Sequence, residues 1–401
     1  MEFETWWLLV IPASFAGGWL ASRLDQRSAK TVPAGLPDAY FKGLNFLLNE
    51  QPDKAVDAFI DVVKLEPETI ELHFALGNLF RRRGEIDRAI RVHENLISRT
   101  TLSADERSHA LFELGQDYLK AGLLDRAEDS FSRLEASQYA NAALRLRLDS
   151  AQMVKDWPLA GSLLDRINNH DEAASLKAHF LCEQAAQRLA TTTADRFELA
   201  SALLHCALQS DPQHVRSRLM LGQVAADQGL ESDALRHWDA VVETDGDYLC
   251  LIAPRWAGFM ELAGKTNDAI AVLEKQLAKK SSVDLFSALV SLREKRDGSE
   301  LALTWAHDWL QKEPSLLGLG SYRKAEVKAE EKANLKAGLA GESNKDGQLL
   351  EALVKHQSAK LSRYCCGNCG FKARQYYWQC PGCNRWDSYA PRRLEDLKID
   401  L

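Results

Sequence analysis

Four cysteines near the C-terminal end of the chain have the spacing of a metal site. Cys366 and Cys369 are separated by two residues, as are Cys380 and Cys383, and ten residues lie between the two pairs. Two residues between thiols let one tight turn present both sulfurs to a single ion, so two such turns supply four tetrahedral ligands. The sequence therefore predicts a closed structural site for one metal ion. Zinc and iron both accept four thiolates in this geometry, so the ligands leave the choice between them open.

The residue after each cysteine pair suits the turn that such a site needs. Gly370 follows the first pair and Asn384 follows the second. Both residue types tolerate a positive φ angle, which we expect at the two positions. Without the metal we expect no independent fold for this segment. The aromatic residues expected to form its small core are Tyr376, Tyr377, Trp378, Trp386 and Tyr389.

Two other functions for the cysteine motif fit the sequence less well. A redox C-x-x-C pair acts alone beside a βαβ pattern, and the sequence shows no such pattern. A zinc ribbon that binds nucleic acid is the functional rival, because basic residues alternate with the aromatic ones. The whole chain is acidic, however, with 50 Lys and Arg against 57 Asp and Glu, which argues against nucleic acid as a partner. The basic residues are Lys372, Arg374, Arg385, Arg392 and Arg393.

Cysteine usage also indicates the compartment of the protein. Five of the eight cysteines lie within nineteen residues, and the other three are scattered singly. This distribution favours a metal site in a reducing compartment over a secreted disulfide framework. Cys365, directly before the first ligand, is expected to be a spare thiol. The sequence has no Walker loop, no G-x-S-x-G motif and no H-E-x-x-H motif, so no enzymatic activity is predicted.

Repeated helix pairs precede the cysteines along most of the chain. The stretch from Leu111 to Leu134 reads as two short antiparallel helices that are separated at Gly122. Its pattern of small and large residues recurs from near residue 36 to about residue 314 at intervals of 33 to 38 residues, with one interval of 74 expected to hold a degenerate copy. The first-helix positions are Gly43, Gly77, Gly115, Leu148, Gly222, Ala257 and Val290. The second-helix positions are Ala55, Ala89, Ala127, Ala160, Ala234, Ala269 and Ala302.

The period resembles that of the tetratricopeptide repeat, and prolines close three of the units at Pro67, Pro212 and Pro314. The resemblance implies an all-α superhelix of seven to eight repeats, in which the first helix of each unit lines a groove that binds extended peptides. An irregular helical domain is the alternative. The residues predicted to face a peptide partner are Tyr40, Asn45, Phe74, Asn78, Arg81, Arg82, Phe112 and Gln116.

Two features qualify this groove prediction. In chaperone-binding members of the superfamily, Asn, Lys and Arg side chains hold a C-terminal carboxylate. Asn45 and Asn78 fit that set, but His109 and Glu113 stand where cations are needed. The basic run that begins at Arg81 is equally explained as a solvated face.

The N-terminal segment Thr5–Ser22 is uncharged and is followed by basic residues. Its eighteen residues would reach roughly 27 Å as a helix, close to the thickness of a bilayer core. We predict a single transmembrane helix with the N-terminus outside and the rest of the chain in the cytoplasm; a cleaved signal peptide is the alternative. Small residues such as Ala13 and Gly17 would let two such helices approach in a homodimer, although membrane helices tolerate glycine in any case.

The predicted organisation has six parts. These are a transmembrane anchor at 1–23, a linker at 24–36, the repeat array at 37–317, a charged helical extension and loop at 318–361, the four-cysteine domain at 362–390 and a tail at 391–401. Within the extension, the sequence predicts a solvated helix from Tyr322 to Leu339 and a further helix from Gln348 to Leu361.

The order of these parts resembles the lipopolysaccharide assembly protein B family of Gram-negative bacteria. The most specific likeness is the stretch from Tyr364 to Trp386, which is similar to the rubredoxin-like C-terminus of that family. The resemblance implies an inner-membrane adaptor that presents the deacetylase LpxC to the membrane protease FtsH, with contacts to other lipopolysaccharide-synthesis or transport proteins. A scaffold that gathers such enzymes without any part in proteolysis is the alternative function.

Overall fold

The computed structural model describes residues 69–167, 170–336 and 364–393, with isolated positions between 42 and 60 and between 349 and 356. The predicted membrane segment Thr5–Ser22 and the groove residue Tyr40 lie outside these residues. Across the described part of the chain, no helix combines the length and the apolar character needed to cross a bilayer. The chain divides into two compact units, one ending at Leu163 and the other starting at Leu164.

Helices make up almost all of the described residues before the cysteines. In chain order they are α1 (Ile70–Arg82), α2 (Ile86–Ser98), α3 (Ala104–Ala121), α4 (Leu124–Ser132), α5 (Ala140–Met153), α6 (Trp157–Leu164), α7 (His170–Leu189), α8 (Arg196–Ser210), α9 (Val215–Asp227), α10 (Glu231–Asp245), α11 (Ala253–Leu262), α12 (Thr266–Lys279), α13 (Val283–Asp297), α14 (Ser299–Lys312) and α15 (Leu316–Lys336). A short 3-10 helix, Gly246–Leu251, joins α10 to α11. Most helices pack on their neighbours in sequence, as the repeat pattern predicts.

Close packing within each pair follows from the small residues that define the repeat. The second-helix alanines of the described pairs are at most 1% exposed. In three pairs the first-helix glycine lies against an aromatic ring four residues after that alanine, so a Cβ on the glycine would overlap the ring. At Gly115, for example, the added atom would lie 2.6 Å from the ring of Phe131. The three pairs are Gly77 with His93, Gly115 with Phe131 and Gly222 with Trp238.

The boundaries of α3 show how local sequence sets a repeat. Ser103 caps the helix by accepting from the Glu106 backbone N–H, and the Glu106 carboxylate accepts from the Ser103 backbone in return. At the other end, Gly122 adopts φ 74° and stops the helix, which confirms the predicted break. The degenerate copy is present as α7 and α8, where Ala200, Leu204 and Ala207 are fully buried.

The extension after the last repeat differs from its prediction at its start. Helix α15 begins at Leu316, six residues before the predicted Tyr322, and runs through two glycines. The Ser315 hydroxyl accepts a hydrogen bond from the Gly318 backbone N–H at 2.8 Å, which satisfies the first turn. Tyr322 and Ala325 pack against the core of the second unit, so this half of the helix is packed rather than solvated. Tertiary burial outweighs the low helix propensity of glycine here.

Candidate metal centre

The four-cysteine segment folds around two short turns. Strand β1 (Tyr364–Cys365) pairs antiparallel with β2 (Lys372–Ala373). In the first turn the Gly370 N–H donates to the Cys366 carbonyl at 3.0 Å, and in the second the Asn384 N–H donates to the Cys380 carbonyl at 2.8 Å. Gly370 has φ 73° and Asn384 has φ 56°, so both predicted positive angles are confirmed.

The turns bring the four predicted ligands together. All four sulfurs lie within 4.8 Å of one another. Cys366 Sγ lies 3.8 Å from Cys383 Sγ, and Cys369 Sγ lies 3.6 Å from Cys380 Sγ. At a metal–sulfur distance of about 2.3 Å, the edge of a regular tetrahedron is about 3.8 Å. The thiols therefore fit one tetrahedral metal ion, and iron and zinc suit the donor set equally.

Burial and hydrogen bonds, including those among the thiols, give Cys366 and Cys369 different pKa values. Burial raises the pKa of Cys366, but hydrogen bonds from the Ser388 hydroxyl and from the backbone of Cys369 and Asn368 bring it down to about 6. A backbone hydrogen bond from Phe371 lowers the pKa of Cys369, yet burial and the neighbouring thiols raise it to about 12. A bound divalent cation would stabilise all four as thiolates, which is the chemistry such an ion supplies here.

The small domain has a core of its own, but part of it differs from the prediction. Tyr364, Tyr389, Cys366 and Cys380 are buried together, and Tyr376 and Tyr377 pack against them as part of one cluster. Of the two tryptophans expected in this core, Trp378 meets Tyr376 edge-on at 5.0 Å, and both also contact the repeat region. Trp378 stacks on Tyr248 of the 3-10 helix, with ring centres 5.5 Å apart and planes 6° apart. Trp386 stacks on His179 of α7 at 4.6 Å.

Polar contacts join the same surfaces. His179, which is 1% exposed, lies with its Nε2 2.7 Å from the Asp387 carboxylate. The buried Arg216 guanidinium lies over both tryptophan rings at 5.6 and 5.9 Å. Further along, Arg393 pairs with Asp284 of α13 at 3.3 Å. The four-cysteine domain is therefore docked on the repeats of the second unit by rings and charges together.

The docking residues occupy equivalent positions in the repeats. His179 and Arg216 each stand six residues before the small position of a first helix, which is Ala185 in α7 and Gly222 in α9. In the first unit that position holds His109, on the face predicted to bind peptide. Within the second unit, the metal domain thus covers the face that in the first unit is predicted to bind a peptide. The sequence analysis did not predict these docking residues, although both stand at the same offset from the small position of their helix.

A polar cluster is buried directly behind this interface. His214 Nδ1 and the Ser217 hydroxyl lie 2.7 Å apart, and the His214 ring meets the His179 ring edge-on at 4.4 Å. Cys182 Sγ lies 3.2 Å from the Ser217 hydroxyl. Burial lowers the pKa of His214 to about 3, with the neighbouring His179 adding to the shift. The histidine is therefore neutral in the folded protein.

In the first unit, rings from three successive helix pairs form a stacked ladder. Phe74 stacks on His109 at 4.1 Å, His109 on Tyr139 at 5.4 Å, and Tyr139 on Phe112 at 4.9 Å. Phe74 is buried, whereas Phe112 and Gln116 of α3 are half-buried. Arg82 and Asn45 are exposed. The structure thus places Phe74 and Phe112 in one row of stacked rings.

Arg81 has an internal role that the groove prediction did not include. Its guanidinium donates to the Asp117 carboxylate at 2.9 Å, to the Glu113 carbonyl at 3.0 Å and to Asn78 Oδ1 at 2.5 Å. Asp117 is fully buried and is also 2.5 Å from His93 Nδ1. Burial raises the pKa of Glu113, but hydrogen bonds from His109 and Arg81 lower it below its ordinary value. Arg81 therefore neutralises buried carboxylates of the next repeat, and its side chain is already engaged within the unit.

Two family models match the chain at the places where this geometry lies. Residues 364–391 match a family described as rubredoxin metal binding domain. Residues 72–107 match the tetratricopeptide repeat. The C-terminal part of a solved repeat-containing protein from Cytophaga hutchinsonii is similar with a TM-score of 0.41 and 13% identity, over 62% of this chain and 99% of that one. Fold and site together define a tetratricopeptide-repeat protein with a rubredoxin-like four-cysteine domain.

Two curated relatives align with nearly the whole chain. Lipopolysaccharide assembly protein B of Escherichia coli K12 is 32% identical over 389 residues, which cover 96% of this chain and 97% of that protein. The protein of the same name from Haemophilus influenzae is 30% identical, with the same coverage of both chains. This chain belongs to the lipopolysaccharide assembly protein B family.

Proposed function

We propose that this protein is an inner-membrane adaptor of lipopolysaccharide assembly, which promotes degradation of the deacetylase LpxC by the protease FtsH. The observation that carries the proposal is the alignment over 96% of the chain with proteins named for lipopolysaccharide assembly. The alignment includes both the repeats and the four-cysteine domain. Repeats of this kind serve as binding surfaces, which is the property that an adaptor needs.

The client surface is assigned to the first unit. Its half-buried rings His109, Tyr139 and Phe112, which the buried Phe74 supports from behind, offer ring edges to the apolar side chains of an extended peptide. Gln116, one helical turn after Phe112, places an amide where the peptide backbone would run. In the second unit the same face is covered by the metal domain, so this ladder is the better candidate for a partner.

The metal domain has a structural role in this proposal. Cys366, Cys369, Cys380 and Cys383 would hold one iron or zinc ion with no open position, as expected for a site that stabilises a fold. The ion would fix Trp378 and Trp386 on the repeats and so keep the second unit in one shape. In this proposal the protein acts without catalysis.

The predicted anchor at residues 1–23 completes the arrangement. Confining adaptor, protease and client to one membrane surface raises their effective concentration without any new contact. We therefore expect the unanchored protein to fold but to promote client degradation less efficiently. The N-terminus would lie in the periplasm and the repeats in the cytoplasm.

The test is the half-life of LpxC after depletion of this protein, with protein synthesis blocked. A half-life that lengthens severalfold, and is restored by re-expression, is the expected result. An unchanged half-life would refute the proteolytic role. If lipopolysaccharide-synthesis enzymes then co-purified with the protein from membranes, the alternative of a non-proteolytic scaffold would replace it.

A further inference from the structure

An open cavity of about 100 Å³ lies where the segment after the metal domain meets the repeats of the second unit. One wall is formed by the 3-10 helix and the end of α12, and a second by the start of α13. The third wall is formed by Ala390, Pro391 and Arg392. This cavity is separate from the thiol cluster and from the ring ladder of the first unit.

The start of α13 directs hydrogen-bond donors at this cavity. The helix has fifteen residues, and its first backbone N–H groups have no partner within the helix. Ser282 stands at the N-cap position and lines the cavity, but its side chain makes no capping hydrogen bond. The Ser282 hydroxyl is buried, with the residue 6% exposed; it lies beside the Cys250 thiol and has no well-formed hydrogen bond among the described residues. A buried hydroxyl without a partner is costly unless a ligand or water satisfies it.

The charges around the cavity favour an anion. Lys280 is paired with Asp247, and Asp284 in the first turn of α13 is paired with Arg393. Arg392 lines the cavity as well, and in the described part of the chain its side chain makes no hydrogen bond or ion pair. The positive end of the helix dipole adds to that charge. Asp247 and Asp284 are thus each paired with a cation, and Arg392 and the N-terminus of α13 remain available.

From this geometry we propose that the cavity binds a small organic oxyanion, either a phosphate ester or a carboxylate. Arg392 would form a bidentate pair with it, while the Ser282 hydroxyl and the N-terminus of α13 would donate further hydrogen bonds. Leu285 and Pro391 line the same cavity and would contact a short apolar part of the ligand. A bare ion would leave those surfaces uncovered, so a ligand with both parts fits better.

The position of the site links ligand binding to docking of the metal domain. Arg392 lies nine residues after Cys383, a predicted metal ligand, in the segment that follows the metal domain. A ligand held between Arg392 and Ser282 therefore binds only when the metal domain is docked on the repeats. The tighter the ligand binds, the more it stabilises the docked state.

Calorimetric titration of the full-length protein in detergent with inorganic phosphate, phenyl phosphate and benzoate tests the proposal. We expect saturable binding of phenyl phosphate or benzoate, tighter than that of inorganic phosphate. Arg392→Gln should weaken it at least tenfold and Ser282→Ala several-fold, with Arg392→Lys retaining an intermediate affinity. Because the Ser282 side chain does not cap α13, its removal should leave the helix in place. The matched control, Arg374→Gln, removes an exposed cation of the metal domain that does not line the cavity.

Tighter binding of phenyl phosphate would identify the ligand as a phosphate ester, and tighter binding of benzoate would identify it as a carboxylate. A second readout is metal release to a chelator, which the better probe should slow in the wild type and not in Arg392→Gln. Absence of saturable binding by all three probes would overturn the proposal. Binding that Arg392→Gln leaves unchanged would overturn it equally.

Discussion

The helix pairs of the repeats and the four-cysteine domain are stabilised in different ways. Each repeat buries a stripe of apolar residues against its neighbours, and copies with a large residue at the small position, such as Leu148 and Val290, still form. The four-cysteine domain has only four buried residues in its own core, and two of them are predicted metal ligands. Stability is therefore distributed along the repeats, whereas in the small domain it depends on a few particular atoms.

Replacement of one ligand gives the largest expected effect. Cys380→Ser should lower the metal content from one ion per chain to near zero, because the site is closed only by all four thiolates. Residues 364–393 should then lose amide protection, while the helical circular dichroism of the repeats is retained. Cys365→Ser, beside the first ligand, is the matched control and should keep the metal. One ion per chain in Cys380→Ser would contradict the site.

Overpacking within one repeat should have a smaller effect that stays local. In Gly115→Val the new side chain would overlap Phe131, which is 1% exposed and has no room to move. We expect a loss of about 3 kcal/mol in unfolding free energy, measured by urea denaturation. Gly161→Ala on α6 meets no atom within 4 Å and should instead stabilise the protein by up to about 1 kcal/mol. Equal stabilities of the two variants would show that the glycine position carries no packing constraint.

The interface between the two regions gives the next effect. Trp386→Ala removes the ring that stacks on His179. We expect the free energy of docking of the metal domain on the repeats to weaken by about 2 kcal/mol. Metal content should stay at one ion per chain, because no ligand is changed, while hydrogen exchange accelerates at the α7 surface. The exposed Phe371 of the same domain provides the control, Phe371→Ala. Loss of metal in Trp386→Ala would show that docking and metal binding cannot be separated.

The smallest effect is a pH dependence in the repeats behind that interface. The pKa of His214 is lowered to about 3 in the folded state, against an ordinary value of 6.5 for histidine. Between these values the unfolded state binds a proton that the folded state does not, so stability falls as pH decreases from about 6.5. The expected loss between pH 6.5 and 5.5 is about 1 kcal/mol.

Urea unfolding at both pH values measures this loss. His214→Gln should abolish it, whereas His205→Gln, on the exposed side of α8, should preserve it. An unchanged pH dependence in His214→Gln would assign it to other groups.

Features set by residue type and spacing could be predicted from the sequence. The double C-x-x-C motif predicted which thiols converge, and Gly370 and Asn384 predicted the turns. The helix pairs followed from Gly and Ala at fixed intervals. These features are local, because each depends on residues close together in the chain.

Features that depend on distant surfaces could not be predicted in this way. Nothing in the sequence around Trp378 and Trp386 indicates which side of the small domain they face, since their partners lie more than a hundred residues earlier. The sequence predicts a peptide-facing Arg81, because its buried partner Asp117 belongs to the next repeat. The early start of α15 depends on packing that outweighs the propensity of its glycines.

Reconstituted proteolysis tests the central claim most directly. FtsH and LpxC would be combined in vesicles with or without this protein, and the loss of LpxC followed over time. The account predicts that the full-length protein accelerates this loss severalfold and that Cys380→Ser accelerates it much less. An unchanged rate of LpxC loss in the presence of the folded, metal-loaded protein would contradict the adaptor function.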